Sequence, residues 1–287
     1  MDYPSVTDFL RKGKTHLAKG PVALIFIEDE VEAEATLLHH VDRGFREVIA
    51  FIGADAVLSE GTNQSVVRVD WDLTSGERAY DIVNACIAAA PGTWFFYCFN
   101  AEFLFFPFSE TRNVVELITF ATEERRDTVL TYVVDLYADD LGRHANGVSL
   151  ANAWMDKSGY YALARTDAWN NPLDRQMDFF GGLRWRLEEH VPKTRRRIDR
   201  VAIFKAKAGL VLAEDHTFND PEYNTYACPW HHSVTASICS FRTAKALKRN
   251  PGSTYEIETF RWHNSVKFQW KSQQLMELGL MEPGQWF

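Results

Sequence analysis

Asn100 and Glu102 stand between two apolar runs, WFFYCF (94–99) and FLFF (103–106), in a chain of 287 residues. A strand covered on both faces needs an apolar run of that kind. The Asn-Ala-Glu break therefore falls at a strand end, either as a polar site or as a hairpin turn with a solvated Glu. Open α/β sheets bind their ligands at such ends. Glu28, Asp29 and Glu30 follow another run, VALIFI (22–27), and Asp55 follows the segment EVIAFIG (47–53). Carboxylates in a first helical turn also complement the helix dipole, so helix capping stands beside binding as the reading of residues 28–30. Asp215, His216, His231 and His232 are the further groups with ligating chemistry, although a histidine often serves only as a core polar group or a helix cap.

The elements that must position these residues follow from periodicity. After VALIFI, Val31, Ala35, Leu38 and Val41 recur at helical spacing and Gly44 closes the helix before residues 47–53, a strand-helix-strand unit with a right-handed crossover. A strand over 65–70 and a helix over 75–90, with Ala79, Ile82, Val83, Cys86 and Ala89 on one face, lead to the strand at 94. Four strands alternating with helices make a parallel, nucleotide-binding type of sheet the expected fold. Beyond Pro107 a helix over 112–125, a strand over 128–137 and a polar loop over 138–147 are expected. Residues 149–178 show no clear period and read as a lid or an irregular arm. A strand over 200–206 follows, then a helix marked by Val234, Ile238, Phe241 and Leu247, and another over 264–279.

A net charge of -8 argues against a nucleic-acid backbone as partner, because phosphate contacts want a basic surface. No run approaches the roughly 20 apolar residues of a spanning helix, and the N-terminus lacks the apolar core of a signal peptide. A cytoplasmic protein without a transmembrane segment is expected. The basic run Arg195, Arg196 and Arg197 is a solvated face, or else meets an anionic acceptor or the inner membrane as a peripheral protein. Cys86, Cys98, Cys228 and Cys239 form no C-x-x-C pair and read as free, buried thiols.

Taken together, the segments ALIFIEDEVEAEATLLHHVDRGFREVIAFIGADA, WFFYCFNAEFLFFPF, FFGGLRWR and CPWHHS, with His216, resemble the family 2 type glycosyltransferases of GT-A fold. Asp29-Glu30, His40, Gly44 and Gly53-Ala54-Asp55 fall where that branch has an Asn-Glu, a Tyr-His-like pair, a Gly and an Asp-Asn strand end. The third segment resembles a G-G-x-R-x-R element. The resemblance implies a GT-A, Rossmann-like mixed sheet over 21–210, with a leader helix over 1–20 and a mainly helical part over 211–287. It implies a nucleotide diphosphate sugar as donor, a saccharide or lipid-linked acceptor, and inverting displacement.

The residues that the resemblance would place at the donor are Glu28, Asp29, Glu30, Asp55, Asn100, Glu102, Gly181, Gly182, Arg184 and Arg186. The family holds a divalent cation, Mg²⁺ or Mn²⁺, on a D-x-D-E-F-L motif. Here Glu102-Phe103-Leu104 keeps the end of it, while Phe99 and Ala101 replace the two aspartates. Either Asn100 and Glu102 hold the ion with shifted geometry, aided by His216 and His232, or basic side chains meet the leaving diphosphate, or catalysis has been lost to leave a binding protein. Arg184 and Arg186 follow a Gly-Gly that admits close backbone approach, and guanidinium groups bind phosphate oxygens bidentately. The base that deprotonates the acceptor hydroxyl is Asp178, with Asp135 as the alternative.

Overall fold

The structure, a computed structural model, describes residues 2–18 and 20–286; Met1, Lys19 and Phe287 lie outside the described residues. In chain order the first elements are β1 (Asp2–Tyr3), α1 (Val6–Lys12), α2 (Lys14–Leu17), β2 (Val22–Ile27), α3 (Ala33–Asp42), β3 (Glu47–Ile52), α4 (Glu60–Ser65), β4 (Val67–Asp70), α5 (Ala79–Ala89), β5 (Trp94–Phe99), β6 (Glu102–Phe105) and α6 (Val114–Glu123). There follow β7 (Thr128–Ala138), β8 (Ala153–Asp156), β9 (Tyr161–Thr166), β10 (Pro172–Phe180), α7 (Leu183–Arg186), β11 (Asp199–Lys205), β12 (Ala236–Ser240), α8 (Arg242–Arg249), α9 (Pro251–Thr254), β13 (Ser265–Lys267) and α10 (Ser272–Glu277). The fold is mixed α/β, with parallel and antiparallel strand pairs.

Two compact units divide the chain. One takes the chain up to Leu104 together with Thr111–Val129 and Val201–Asn224; the other takes Phe105–Glu110, Leu130–Arg200 and the chain from Thr225 on. The division does not follow a break at 210.

In the first unit the strands lie in the order β1-β4-β3-β2-β5-β11. β2 pairs in parallel with β3 on one side and with β5 on the other, and β3 with β4, whereas β11 runs antiparallel to β5, with Ile203 opposite Phe96. β2 and β5 are buried at every residue, as their unbroken apolar runs require. The leader contains α1 and α2 and, in addition, β1, which pairs in parallel with β4. Ser5 caps α1 by accepting from the Asp8 N–H, and Asn113 caps α6 in a reciprocal box with Glu116.

The expected phase of α3 is corrected: its buried residues are Ala33, Thr36, Leu37 and His40, and Leu38 is exposed. Apolar residues alone do not mark the inward face, because this helix turns a threonine and a histidine inward, where both find hydrogen bonds.

In the second unit β12 lies parallel to β7, with Ala236 opposite Thr131, while β8 is antiparallel to β7 and β13 to β8. Three expectations change here. The helix marked by Val234 and Ile238 is instead β12 followed by α8, and the helix over 264–279 is β13 followed by α10. A short segment such as ASICS (236–240) fits strand or helix equally, and the waiting ladder of β7 decides it. The stretch over 211–287 thus holds two strands with three short helices and is not mainly helical. Residues 149–178 are not irregular but contain β8, β9 and most of β10; β9 and β10 form a separate antiparallel pair. Among the described residues no helix is long and apolar enough to cross a membrane.

Candidate functional site

The expected site residues fall into two groups, one in each unit. The first lies at the carboxyl ends of β2 and β5. Their order makes this a topological switch point: from β2 the chain proceeds to β3 and β4 on one side and then returns to β5 on the other.

Asn100, fully buried just after β5, ties the two ends together. Its Oδ1 accepts from the Glu28 N–H at 3.0 Å, and its Nδ2 donates to the Asp29 carbonyl (3.0 Å), Asp29 Oδ1 (2.8 Å) and the Val31 carbonyl (2.9 Å). A neutral amide suits this work because it satisfies donors and acceptors together without burying a charge. Ala101 and Glu32 both adopt left-handed backbone, φ +61° and +53°. Thr36 links them: its Oγ1 accepts from the Ala101 N–H (2.8 Å) and donates to the Glu32 carbonyl (2.6 Å).

Asp29 Oδ1 also accepts from the Val31 N–H, while Glu28 is half-buried and Glu30 exposed. None of the three lies in the first turn of α3, which begins at Ala33 and carries Glu34 there, so helix capping does not account for them. Asp55 is exposed in the turn after β3. Glu32, absent from the sequence-based set, is half-buried, and burial raises its carboxyl above the usual range. Only the left-handed backbone, which pattern reading does not reveal, distinguishes it.

Beneath this loop the imidazole of His40 is fully buried. Its Nδ1–H donates to the Thr36 carbonyl (2.7 Å), Cys98 Sγ lies 3.7 Å from Nε2, and desolvation pulls its pKa down to about 4. His39 Nε2–H donates to the Leu104 carbonyl at 2.8 Å.

A divalent cation does not fit residues 99–102. Phe99 and Ala101 offer no side-chain donor, the Asn100 oxygen is engaged by Glu28, and the fully buried Glu102 turns Oε2 to the Phe99 N–H at 3.0 Å. His216 is bound elsewhere, its Nδ1 2.9 Å from the Tyr97 hydroxyl and its ring stacked on that tyrosine. His232 is exposed. Among the described residues no group of three or more His, Cys, Asp or Glu is arranged to hold a metal ion.

The second group consists of carboxylate-guanidinium pairs. Asp135, wholly buried on β7, accepts from Arg184 Nε (3.2 Å), the Arg184 N–H (3.2 Å) and the Thr243 hydroxyl (2.8 Å). Burial raises its carboxyl above the usual range, and the Arg184 charge opposes that rise. Gly182, at φ +67°, permits the approach: a Cβ there would stand 3.0 Å from Asp135 Oδ2. At Gly181 a Cβ would overlap the Tyr160 ring. The Gly-Gly thus serves packing inside the unit.

Arg186 is gripped by Asp156 through Nε (2.7 Å) and Nη2 (3.2 Å), and Nη2 also donates to the Phe260 carbonyl (2.7 Å). Asp156 in turn accepts from the Tyr137 hydroxyl (2.5 Å) and Trp262 Nε1 (2.8 Å). Asp178 Oδ1 accepts from Arg165 Nε (2.7 Å) and Arg197 Nη1 (2.9 Å), and Arg165 reaches on to Asp199 (2.9 Å). Arg197 therefore belongs to a half-buried network, whereas Arg195 is exposed. Asp156, Arg165 and Asp199 escaped sequence reading because their partners lie 13 to 106 residues away. None of the four cysteines is in a disulfide; Cys86, Cys98 and Cys239 are buried and Cys228 is half-buried, its Sγ 3.0 Å from His231 Nδ1.

Comparison with models of known protein families and with curated proteins finds no match to this chain.

Proposed function

We propose that the chain is a GT-A type glycosyltransferase that binds a nucleotide diphosphate sugar at the carboxyl ends of β2 and β5. The sugar would pass to a saccharide or lipid-linked acceptor. The observation that carries the reading is the switch point: the strand order β4-β3-β2-β5 reverses direction there, and the acidic loop Glu28-Asp29-Glu30 is pinned at that point by Asn100. A pinned loop that exposes Glu30 suits hydrogen bonding to the hydroxyls of a ribose or the N–H groups of a base. The antiparallel β11 beside β5 agrees with a mixed GT-A sheet rather than a wholly parallel one.

A second reading, a GT-A scaffold that binds sugar nucleotide without transfer, is favoured by the chemistry of the missing parts. The metal motif has lost its two aspartates, and both carboxylates expected to act as base are held by arginines.

Calorimetric titration with UDP, GDP and their sugars, with and without Mn²⁺, tests both. Binding of one nucleotide in the micromolar range, weakened by Glu30→Ala, supports the shared site. Absence of binding in every condition removes both readings. Binding without donor hydrolysis or transfer, and without an effect of Asp178→Asn on any turnover, leaves the second.

A further inference from the structure

A hairpin that packs one face on a core alternates buried and exposed residues. β9 does not: Tyr161, Ala162, Leu163 and Ala164 are all exposed, so both faces of the strand meet solvent. On one face Tyr161 and Leu163 stand about 7 Å apart along the strand, opposite Phe180 and Asp178 of β10. The Tyr161 ring stacks on Phe180, with centroids 5.2 Å apart and 19° between planes. Trp185 meets Tyr161 edge-on at 6.3 Å. Tyr161, Leu163 and Trp185 are nevertheless 43%, 56% and 39% exposed. Scattered apolar residues need no explanation, but aromatic rings grouped in contact and left in water mark a binding surface.

The chemistry of the group narrows what it fits. It is pre-formed: Tyr161 is held against its cross-strand partner, and Gly159 leaves room for Trp185, since a Cβ there would stand 3.0 Å from the indole. It carries no cationic surplus. Residues 161–180 contain two arginines, Arg165 and Arg175, against three aspartates, Asp167, Asp174 and Asp178. Arg165 and Arg197 are moreover bonded to Asp178. Phosphate groups, polyanions and anionic headgroups are thereby disfavoured. Asp178 lies beside Leu163 with 26% of its side chain exposed; its Oδ1 takes both arginines, and its second oxygen can accept from a neutral hydroxyl. A ligand that alternates flat C–H faces with uncharged hydroxyls matches such a surface, because the rings meet the former and the polar rim the latter.

We infer that Tyr161, Leu163 and Trp185 form a stacking platform for a neutral oligosaccharide. That the glycan is the acceptor of a transfer rests on the glycosyltransferase reading; that it binds does not.

The test is calorimetry of the full chain with maltohexaose, cellohexaose, xylohexaose and N-acetylchitohexaose, alongside flotation with phosphatidylcholine vesicles containing phosphatidylglycerol. At least one hexasaccharide binds, and Tyr161→Ala and Trp185→Ala each weaken it about tenfold, the size of an aromatic contact. Tyr161→Phe keeps the affinity, and Leu163→Lys, on an exposed strand position, lowers it while leaving the melting temperature in place. Failure of all four saccharides to bind overturns the inference, as does equal affinity in the alanine variants. It is likewise overturned by capture on vesicles alone, or by a wild-type dimer that Tyr161→Ala converts to monomer in sedimentation. UDP and GDP titrated in parallel separate the two proposals: saccharide binding without nucleotide binding keeps the platform and removes the transferase, and the converse keeps the transferase site alone.

Discussion

The loop joining β2 to α3 and the carboxylates of the second unit both place polar groups in apolar surroundings, and they do so with opposite chemistry. At the strand ends a neutral amide, Asn100, satisfies the backbone, while Glu30 is exposed and Glu28 and Glu32 are half-buried. In the second unit Asp135, Asp156 and Asp178 are themselves consumed, each by one or two guanidinium groups. Where an amide holds the chain together, a carboxylate such as Glu30 stays exposed. Where charge holds the chain together, little of it is left over. The difference favours the first region as the place of binding and the second as framework, although the second contains the residues whose sequence pattern resembles catalytic parts more closely.

The comparison breaks most severely at Asp156. Its replacement by Ala would leave Arg186, 12% exposed at its side chain, with no counter-charge and deprive Trp262 of its acceptor and Tyr137 of one of its two partners. A loss of about 4 kcal/mol is expected in urea unfolding, since an unpaired buried charge costs more than the pair contributes. A loss below about 1 kcal/mol would mean that the network is not the framework described above.

Acid probes the first region. The folded state holds His40 neutral with a pKa of about 4, below the ordinary value near 6.5. The folded protein thus binds this proton less readily than the unfolded chain does. The stability is whole above about pH 6.5 and falls as the pH drops toward 4, by on the order of 3 kcal/mol. Unfolding midpoints measured at pH 7 and pH 4.5 should differ accordingly, and His40→Gln should shrink the difference to the part contributed by His39, whose pKa burial also lowers.

Asn100→Ala sharpens the contrast further. Several backbone groups would lose their partner, and about 2 kcal/mol of stability should go, together with most nucleotide affinity because the acidic loop is released. If affinity survives while stability falls, the loop is not the binding element. Glu30→Ala should be the gentlest change, within about 0.5 kcal/mol in stability as for other exposed positions. Its effect should appear in nucleotide titration alone.

How far the sequence could be read follows the range of the interactions. Continuous apolar runs at 22–27, 48–52 and 94–99 identify β2, β3 and β5 because a strand buried on both faces requires nothing but apolar residues. The polar break at Asn100 was equally visible as a strand end. Its clamp on residues 28–31 was not, since those contacts close across about seventy residues. β9, with solvent on both faces, carries no alternation to detect, and β12 imitates a helix face until β7 offers it a ladder.

The amino-acid order by itself determined the α/β class, the parallel β2-β3-β4-β5 succession and the acidic strand end, because each depends on local patterning of apolar and charged residues. Tertiary structure alone decided which charges are spent. Arg184, Arg186 and Asp178 carry the same side chains whether they face a ligand or one another, and only folding brought Asp135, Asp156 and Arg197 within hydrogen-bonding reach of them.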